Sequence, residues 1–339
     1  MPWPARILIA TDAWHPQVNG VVRTLETIGG ELRALGHAVE VIGPDRFRTL
    51  PLPTYPDIRL ALRPRAKLAA MVRDFAPEAL HIATEGPIGH AARALARREG
   101  WHFTTSFHTR FPEYVHARIR LPVAWSYAWL RHFHEAGDGV MVATASLRAE
   151  LAARGFTRLR PWSRGVDLSL FRQADADPWP GLPRPVFLYV GRVAVEKNIE
   201  AFLRLDLPGS KVVVGEGPSL PALKRAFPAA HFTGPRYGAE LAASYAGADV
   251  FVFPSRTDTF GLVVLEALAC GTPVAAFPVT GPRDILAGAA APIGALDDDL
   301  ARAALSALQA DRAACHAHAE RNSWRACAEL FRSHLVPLH

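Results

Sequence analysis

Cysteine is scarce in this chain: Cys270, Cys315 and Cys327 are the only three. They are too few and too scattered for a disulfide framework or a zinc site, so buried free thiols are expected. Lysine is scarce too, with four residues, so nearly all positive charge is arginine. Long apolar runs are missing. The longest charge-free stretch, Ala267 to Pro282, is interrupted by Gly271, Pro273, Pro278 and Gly281, which excludes a membrane-spanning helix. The start, Met1-Pro2-Trp3-Pro4-Ala5-Arg6, has neither the apolar region nor the small-residue cleavage site of a secretory signal, and a cytoplasmic protein is expected. Zinc-finger spacing, RNP signature and helix-turn-helix pattern are all absent, and no nucleic-acid partner is expected.

What is present suits a folded protein of two domains: 339 residues, half of them hydrophobic and 21% charged, at about 150 residues per domain. The net charge of +6 is uneven, because residues 1–172 carry 23 Lys or Arg against 15 Asp or Glu. Within them, Arg46, Arg48, Arg59, Arg63, Arg65, Lys67 and Arg73 face one acid, Asp57. Such asymmetry suits a domain that meets an anionic surface.

Apolar strand patterns alternate with helical ones. Arg6–Ala10 reads as a buried strand, Gly20–Leu35 as a helix and Ala38–Ile42 as a second strand. Helix Arg65–Phe75, strand Ala79–Ala83, helix Gly86–Glu99 and strand His102–Ser106 continue the pattern. Beyond the Pro- and Gly-rich stretch Gln173–Arg184 a second alternating set begins, with strands at Val186–Val190, Lys211–Val214, His231–Phe232, Val250–Phe253 and Pro273–Ala276. The spacing predicts an α/β protein of two Rossmann-like, doubly wound parallel-sheet domains facing across a cleft. The expected spans are 1–172 on the acceptor side and 173–323 on the nucleotide side, with helix 324–339 crossing back to the first domain.

Chemistry concentrates where strands end. Gly191-Arg192-Val193-Ala194-Val195-Glu196-Lys197-Asn198 follows a strand and is expected to open a helix, so Arg192 and Lys197 can both reach a diphosphate. The plainer reading is a solvated turn, and the Gly-rich run of a P-loop is missing. Asp258 and Glu266 lie in Ser255-Arg256-Thr257-Asp258-Thr259-Phe260-Gly261-Leu262-Val263-Val264-Leu265-Glu266. Glu266 stands in an apolar helix, where a carboxylate must be paired; a structural ion pair competes with a ligand for ribose or sugar hydroxyls. Backbone N–H groups of Thr259-Phe260-Gly261-Leu262 are expected to point at the same ligand. Asn19-Gly20 closes the first loop, where Gly20 lets a phosphate approach the backbone. His108 and His15 follow strands, and a structural role competes with a site role for both.

Together, Gly191–Asn198, Asp258–Glu266, Gly215-Glu216-Gly217-Pro218 and the loop Thr11–Gly20 resemble the retaining nucleotide-sugar glycosyltransferases of family 4. Phe107-His108-Thr109-Arg110-Phe111-Pro112-Glu113-Tyr114 and His81-Ile82-Ala83-Thr84-Glu85-Gly86-Pro87 resemble the branch that holds sulfoquinovosyl and glycosyl diacylglycerol synthases and bacterial mannosyltransferases. The resemblance implies the GT-B fold and a nucleotide-sugar donor, with no cofactor and no metal. It places Arg192 and Lys197 on the donor diphosphate, Glu266 on the ribose, and Phe260, Gly261 and Leu262 along the donor sugar. His108 comes near the sugar and Gly20 near the phosphate. Asp258 stands where the family often has Glu, one methylene shorter, as the acidic residue at the sugar. The implied reaction is metal-independent, retaining hexosyl transfer, with UDP-glucose or UDP-glucuronic acid as donor.

The basic stretch Arg46–Arg73 and the aromatic run Trp125-Ser126-Tyr127-Ala128-Trp129 suit a peripheral protein at an anionic membrane surface, with a lipid acceptor such as diacylglycerol. In the competing reading those aromatics are core and the arginines merely solvated. The rivals are a GDP-mannose-dependent mannosyltransferase, a GT-B epimerase and a non-catalytic nucleotide-sugar binding protein. A GT-A transferase would need a metal-binding Asp-x-Asp, and Asp175-Ala176-Asp177 has that form only in the linker.

Overall fold

The computed structural model describes residues 3–17, 19–52, 55–108, 122–175, 177–258 and 260–339. They divide into two compact units, one of Met1–Arg164 with Trp324–His339, the other of Gly165–Ser323. Thr109–Tyr114, Thr259 and Ala176, which figure in the motifs above, lie outside the described residues.

In the first unit, β1 (Arg6–Ala10), α1 (Gly20–Ala34) and β2 (Ala38–Ile42) form the opening β-α-β step. A hairpin of β3 (Thr49–Leu52) and β4 (Tyr55–Ala61) follows, then α2 (Arg65–Phe75), β5 (Ala79–Ile82), α3 (Pro87–Glu99), β6 (Thr104–Phe107), α4 (Val123–His134), β7 (Gly139–Val142), α5 (Ala145–Ala153) and β8 (Leu159–Pro161). The six-stranded sheet runs β2-β1-β5-β6-β7-β8, with every pair parallel. Ile7 to Ala10 are fully buried, as a strand covered by helices on both faces requires. The hairpin β3–β4 is antiparallel and outside that sheet. Its prolines hide it from strand patterning, because proline within strands is confined to edges and bulges; the register shifts between Pro51 and Leu52.

The second unit holds β9 (Val186–Val190), α6 (Ile199–Leu203), β10 (Ser210–Val214), α7 (Leu220–Ala226), β11 (His231–Gly234), α8 (Gly238–Ala246) and β12 (Val250–Phe253). It continues with α9 (Leu262–Ala269), β13 (Val274–Ala276), α10 (Thr280–Leu286), β14 (Gly294–Leu296), α11 (Leu300–Ala307) and α12 (Arg312–Ala319). Its sheet runs β11-β10-β9-β12-β13-β14, again all parallel.

Two expectations need correction. The division falls between Arg164 and Gly165, not after Arg172, because the residues that follow Arg164 pack with the second unit: Val166 N–H donates to Asn322 O at 2.9 Å and Phe171 meets Tyr245 edge-on. The segment Gly191–Asn198 opens no long helix. It forms one 3-10 turn at Val195–Lys197, then Asn198 turns left-handed at φ 54° and α6 runs for five residues.

The last helix, α13 (Trp324–His334), belongs to the first unit and packs on α1. Trp324, Cys327, Ala328 and Phe331 are its buried residues, the i, i+3, i+4, i+7 stripe of an amphipathic helix. Phe331 lies 4.8 Å from the His81 ring and 4.9 Å from that of Trp162. Beyond the helix, Leu338 is tied by backbone bonds to Glu78 and His102. All three cysteines are free and buried, and burial pushes their thiols up, to about 12 for Cys270 and Cys315 and about 11 for Cys327. Phe331→Ala would leave a cavity between His81 and Trp162, and is expected to cost about 3–5 kcal/mol. Urea denaturation followed by tryptophan fluorescence measures this; an unmoved midpoint would show that α13 adds nothing to the first unit.

Candidate functional site

In each sheet the strand order reverses once, between β1 and β5 in the first unit and between β9 and β12 in the second. At such a point successive connections leave on opposite faces, and the carboxyl ends of the two strands open a crevice for a ligand. Of the residues singled out by sequence, Lys197 and Asp258 follow the two strands of the second reversal, His15 and Gly20 follow β1, and His108 follows β6.

In the second unit, the turn after β9 is pinned from several sides. Gly191 N–H donates to Val214 O, Val193 N–H to Glu216 O, and the buried Tyr189 hydroxyl to Arg192 O at 2.9 Å. A Cβ on Gly215 would stand 1.9 Å from Gly191 O, and Gly215 has φ 145°, so only glycine permits this approach. Across the reversal, Lys197 Nζ meets Asp258 Oδ1 at 2.5 Å, with the two side chains 26% and 20% exposed. Asn198 Nδ2 donates to Pro254 O and Thr257 Oγ1 to Glu196 O, so the loops after β9 and β12 are stitched together. Arg192 is half-exposed, with Glu196 at 4.0 Å. Burial, and then the charges of Asp258 and Glu196, push the Tyr189 hydroxyl well above its usual value.

Two buried polar atoms here have no hydrogen-bond partner among the described residues: Asp258 Oδ2 and Ser255 Oγ. Leaving a buried acceptor unpaired costs about 1–3 kcal/mol, a cost that a hydroxyl-bearing ligand would remove. Gly261, left-handed at φ 94°, starts α9, whose first N–H groups have no acceptor within the helix. Phe260 is buried, and its carbonyl lies so near Gly281 that a Cβ there would meet it at 2.1 Å. Leu262 is the first residue of α9, and Glu266 lies one turn on, buried, with Oε2 accepting from the Tyr245 hydroxyl at 2.9 Å. A partner required of a carboxylate in an apolar helix is thus supplied by a tyrosine.

In the first unit, Gly20 begins α1, and Asn19 Oδ1 already accepts from Val21 and Val22 N–H at 3.0 Å each. A phosphate at Gly20 would have to displace that cap. His15 is exposed and paired with Glu26. His108 sits after β6 in a chain of buried polar groups. Arg164 Nη2 donates to its Nδ1 at 3.1 Å, and Nε2 lies 2.8 Å from Ser106 Oγ. Arginine has only donors, so Nδ1 carries the lone pair and Nε2 the proton. With both nitrogens engaged, the ring has none left for a sugar or a transferred proton until Arg164 or Ser106 lets go. The chain continues from Ser106 to His81 Nε2 at 3.1 Å and from His81 Nδ1 to Thr104 Oγ1 at 2.9 Å.

Sequence reasoning missed Asp12, which follows β1. Its buried carboxylate accepts from Ile88 N–H at 2.8 Å, Gly89 N–H at 3.1 Å and the Thr84 hydroxyl, capping α3. A Cβ on Gly86 would strike it. Arg164 and Glu85 were also missed; Glu85 lay inside the quoted His81–Pro87 segment, and an acid directly after a strand was the available signal. Among the described residues no group of three His, Cys, Asp or Glu could hold a metal ion. Asp177 caps its own turn at Trp179, and Asp299 caps α11.

Residues 18–170 match Glycosyltransferase Family 4, and residues 184–310 match Glycosyl transferases group 1. Over 306 residues the chain is 33% identical to a GDP-mannose-dependent alpha-mannosyltransferase of Mycobacterium tuberculosis (strain CDC 1551 / Oshkosh), covering 83% of this chain and 81% of that protein. It is 28% identical over 314 residues to the alpha-monoglucosyldiacylglycerol synthase of Streptococcus pneumoniae (strain ATCC BAA-255 / R6), covering 80% and 70%. The sucrose-phosphate synthase structure from Thermosynechococcus elongatus shares the fold, with a TM-score of 0.74 over 97% of this chain and 98% of that one, at 22% identity. Fold and matches define a glycosyltransferase of GT-B architecture. Within that class, the chain belongs to glycosyltransferase family 4.

The buried histidines make acid stability a test of the first unit. Burial holds His81 at about 3, far below the ordinary 6.5, and burial with the Arg164 charge holds His108 well below it too. As pH falls through 6.5 the unfolded chain takes protons that the folded one refuses, so each histidine removes about 1.4 kcal/mol per pH unit until its folded value is reached. Asp12, raised by burial to about 6 from 3.8, opposes one of them between those values, because its folded carboxyl holds the proton more tightly. Urea midpoints at pH 7.5, 6.5 and 5.5 are expected to fall less steeply for His81→Gln than for the wild type; parallel curves would show that His81 is not buried neutral.

Proposed function

We propose that this glycosyltransferase moves a hexosyl group from a nucleoside-diphosphate sugar to a lipid hydroxyl, with retention at the anomeric carbon and without a metal ion. The carrying observation is the stitched pair of loops in the second unit, where Lys197, Arg192 and the unpaired oxygen of Asp258 meet at the strand-order reversal. When the glycosidic bond to the diphosphate breaks, negative charge grows on the leaving β-phosphate and the anomeric carbon becomes cationic. Preorganised cations at the leaving group stabilise that state most, and Arg192 and Lys197 supply them in place of a metal. Lys197 is aimed by Asp258, Asp258 Oδ2 takes a sugar hydroxyl, and the N–H groups at Gly261 and Leu262 line the sugar. Glu266, steadied by Tyr245, accepts from ribose hydroxyls. The acceptor oxygen attacks from the face the phosphate leaves, and the departing phosphate takes its proton.

For the donor, GDP-mannose stands ahead of UDP-glucose and UDP-glucuronic acid, because the relative named for it shares 33% identity against 28% for the glucosyl synthase. The lipid acceptor is supported by that synthase's name and by the surface of α4. Trp125 and Trp129 are 71% and 47% exposed, one turn apart, an exposure typical of aromatics that rest in a membrane interface. With the Arg46–Arg73 charges they form the footprint of a peripheral membrane protein on the cytoplasmic side. No helix among the described residues is long and apolar enough to cross a membrane.

Lys197→Ala is expected to lower transfer by about 10²–10³-fold with an unchanged circular-dichroism spectrum. Equal activity would remove the diphosphate role. Transfer of label from GDP-mannose, UDP-glucose or UDP-glucuronic acid to dioctanoylglycerol should survive EDTA, and its loss on chelation would refute the metal-free reading. The double variant Trp125→Ala/Trp129→Ala is expected to stop cosedimenting with anionic vesicles at low salt while keeping its fold; sedimentation like that of the wild type would return those tryptophans to an unrelated surface.

A further inference from the structure

The strand-order reversal in the first unit carries a second carboxylate that the donor chemistry does not use. Glu85 follows β5, between that strand and α3, and its side chain is 22% exposed. His134 Nε2 lies 2.9 Å from Glu85 Oε1, and His134 itself is fully buried, with Nδ1 2.8 Å from Thr105 Oγ1. An ionised carboxylate only accepts, so His134 Nε2 carries a proton and donates it to Glu85, while Nδ1 is engaged by the Thr105 hydroxyl. The imidazole is locked from behind and presents one fixed N–H, which holds one oxygen of Glu85 in place. Glu85 Oε2 has no hydrogen-bond partner among the described residues. The adjacent acid, Asp12, differs in this respect: three donors fill its carboxylate.

The surroundings suit an amphipathic ligand. The next turn of chain, Pro87 and His90, lines a cavity of about 570 Å³ with Arg63, Arg65 and Ala91. Glu85 is close enough for its charge to act on the His90 ring, and His90 packs against Trp129, 5.2 Å away, on the exposed face of α4. A largely apolar cavity thus opens beside the turn that carries Glu85, and one of its lining residues, His90, packs against the exposed tryptophan.

We propose that Glu85, held by His134, is the residue that binds the acceptor: Oε2 accepts a hydrogen bond from a hydroxyl of a neutral polyol headgroup. A carboxylate there attracts hydroxyl donors and its own charge opposes a phosphate at that oxygen, so Glu85 favours an uncharged hydroxyl-bearing headgroup although Arg63 and Arg65 line the neighbouring cavity. Glu85 takes no proton in the transfer; that proton leaves with the diphosphate. His134 is a positioning residue that acts only through Glu85. The inference rests on the transferase reading above and adds to it the class of acceptor and the residue that recognises it.

Glu85→Gln is the informative variant, because the amide oxygen can still accept from His134 while the charge and the second acceptor are lost. Label transfer from GDP-mannose and from UDP-glucose is measured in mixed micelles with dioctanoylglycerol or with phosphatidylinositol. The expected result is a rise of about tenfold or more in the KM for dioctanoylglycerol, with the donor KM and the thermal midpoint unchanged and the relative use of phosphatidylinositol raised. An acceptor KM within twofold of the wild type, in an active variant, would overturn the role of Glu85 and leave the transferase reading standing. A rise in donor KM or a fall in thermal midpoint that matches the loss of transfer would make Glu85 structural and overturn it as well. Wild-type protein that transfers to neither lipid would remove the lipid-acceptor reading itself, and the inference with it.

Discussion

A parallel sheet whose order reverses in the middle leaves a gap that its own backbone cannot fill, and both units of this protein are organised around that gap. The connections on either side of β9 and β12 depart on opposite faces, so loops that are sixty residues apart in sequence end side by side. What joins them is the Lys197–Asp258 ion pair at 2.5 Å, with Asn198 and Thr257 bonded across the same seam. A partly buried pair of this kind adds little net stability, because desolvation offsets most of the Coulomb attraction. Its effect is on geometry: a flexible ammonium is given one direction, and the acid that aims it keeps a second oxygen unspent.

The first unit solves the same problem with different chemistry. Its reversal between β1 and β5 is closed by Asp12, whose carboxylate is saturated by α3 and Thr84, while Glu85 beside it is only half engaged. Behind them, histidines do the fastening. His108, His81 and His134 each have both ring nitrogens in hydrogen bonds to hydroxyls, a guanidinium or a carboxylate. Buried and held on both sides, such rings act as rigid connectors. Arg164, lowered to about 10 by burial and stacked over Trp162, anchors this network at the last residue of the first unit's main segment, where the chain leaves for the second.

Much of the fold was legible because the signal was local. Strands such as Arg6–Ala10 and Val186–Val190 are unbroken apolar runs, and α13 carries its i, i+3, i+4, i+7 stripe openly. The hairpin β3–β4 was not legible, since Pro51 and Pro56 argue against strands and its pairing is visible only once both edges are folded. The domain limit was misplaced for a related reason: proline density marks exposed chain, yet Val166 and Phe171 are claimed by partners more than seventy residues away. In the site, spacing located Lys197, Asp258 and Glu266 but could not give their partners. Glu266 called for a partner, and the Tyr245 hydroxyl donates to it; His108 looked available and is held on both sides.

The length of the acid at position 258 matters to these contacts. A glutamate there would reach one methylene farther, and with Lys197 Nζ already at hydrogen-bond distance from the aspartate it would have to fold back or push the lysine away from the β9 loop. Aspartate fits the span between the stitched loops and leaves Oδ2 buried and unpaired. An unpaired buried acceptor persists only where the surrounding fold over-determines it, and here Asn198, Thr257 and the Gly215–Gly191 approach fix both loops before any ligand arrives. The cost is thus concentrated in one oxygen, the atom to which the proposed function assigns a sugar hydroxyl.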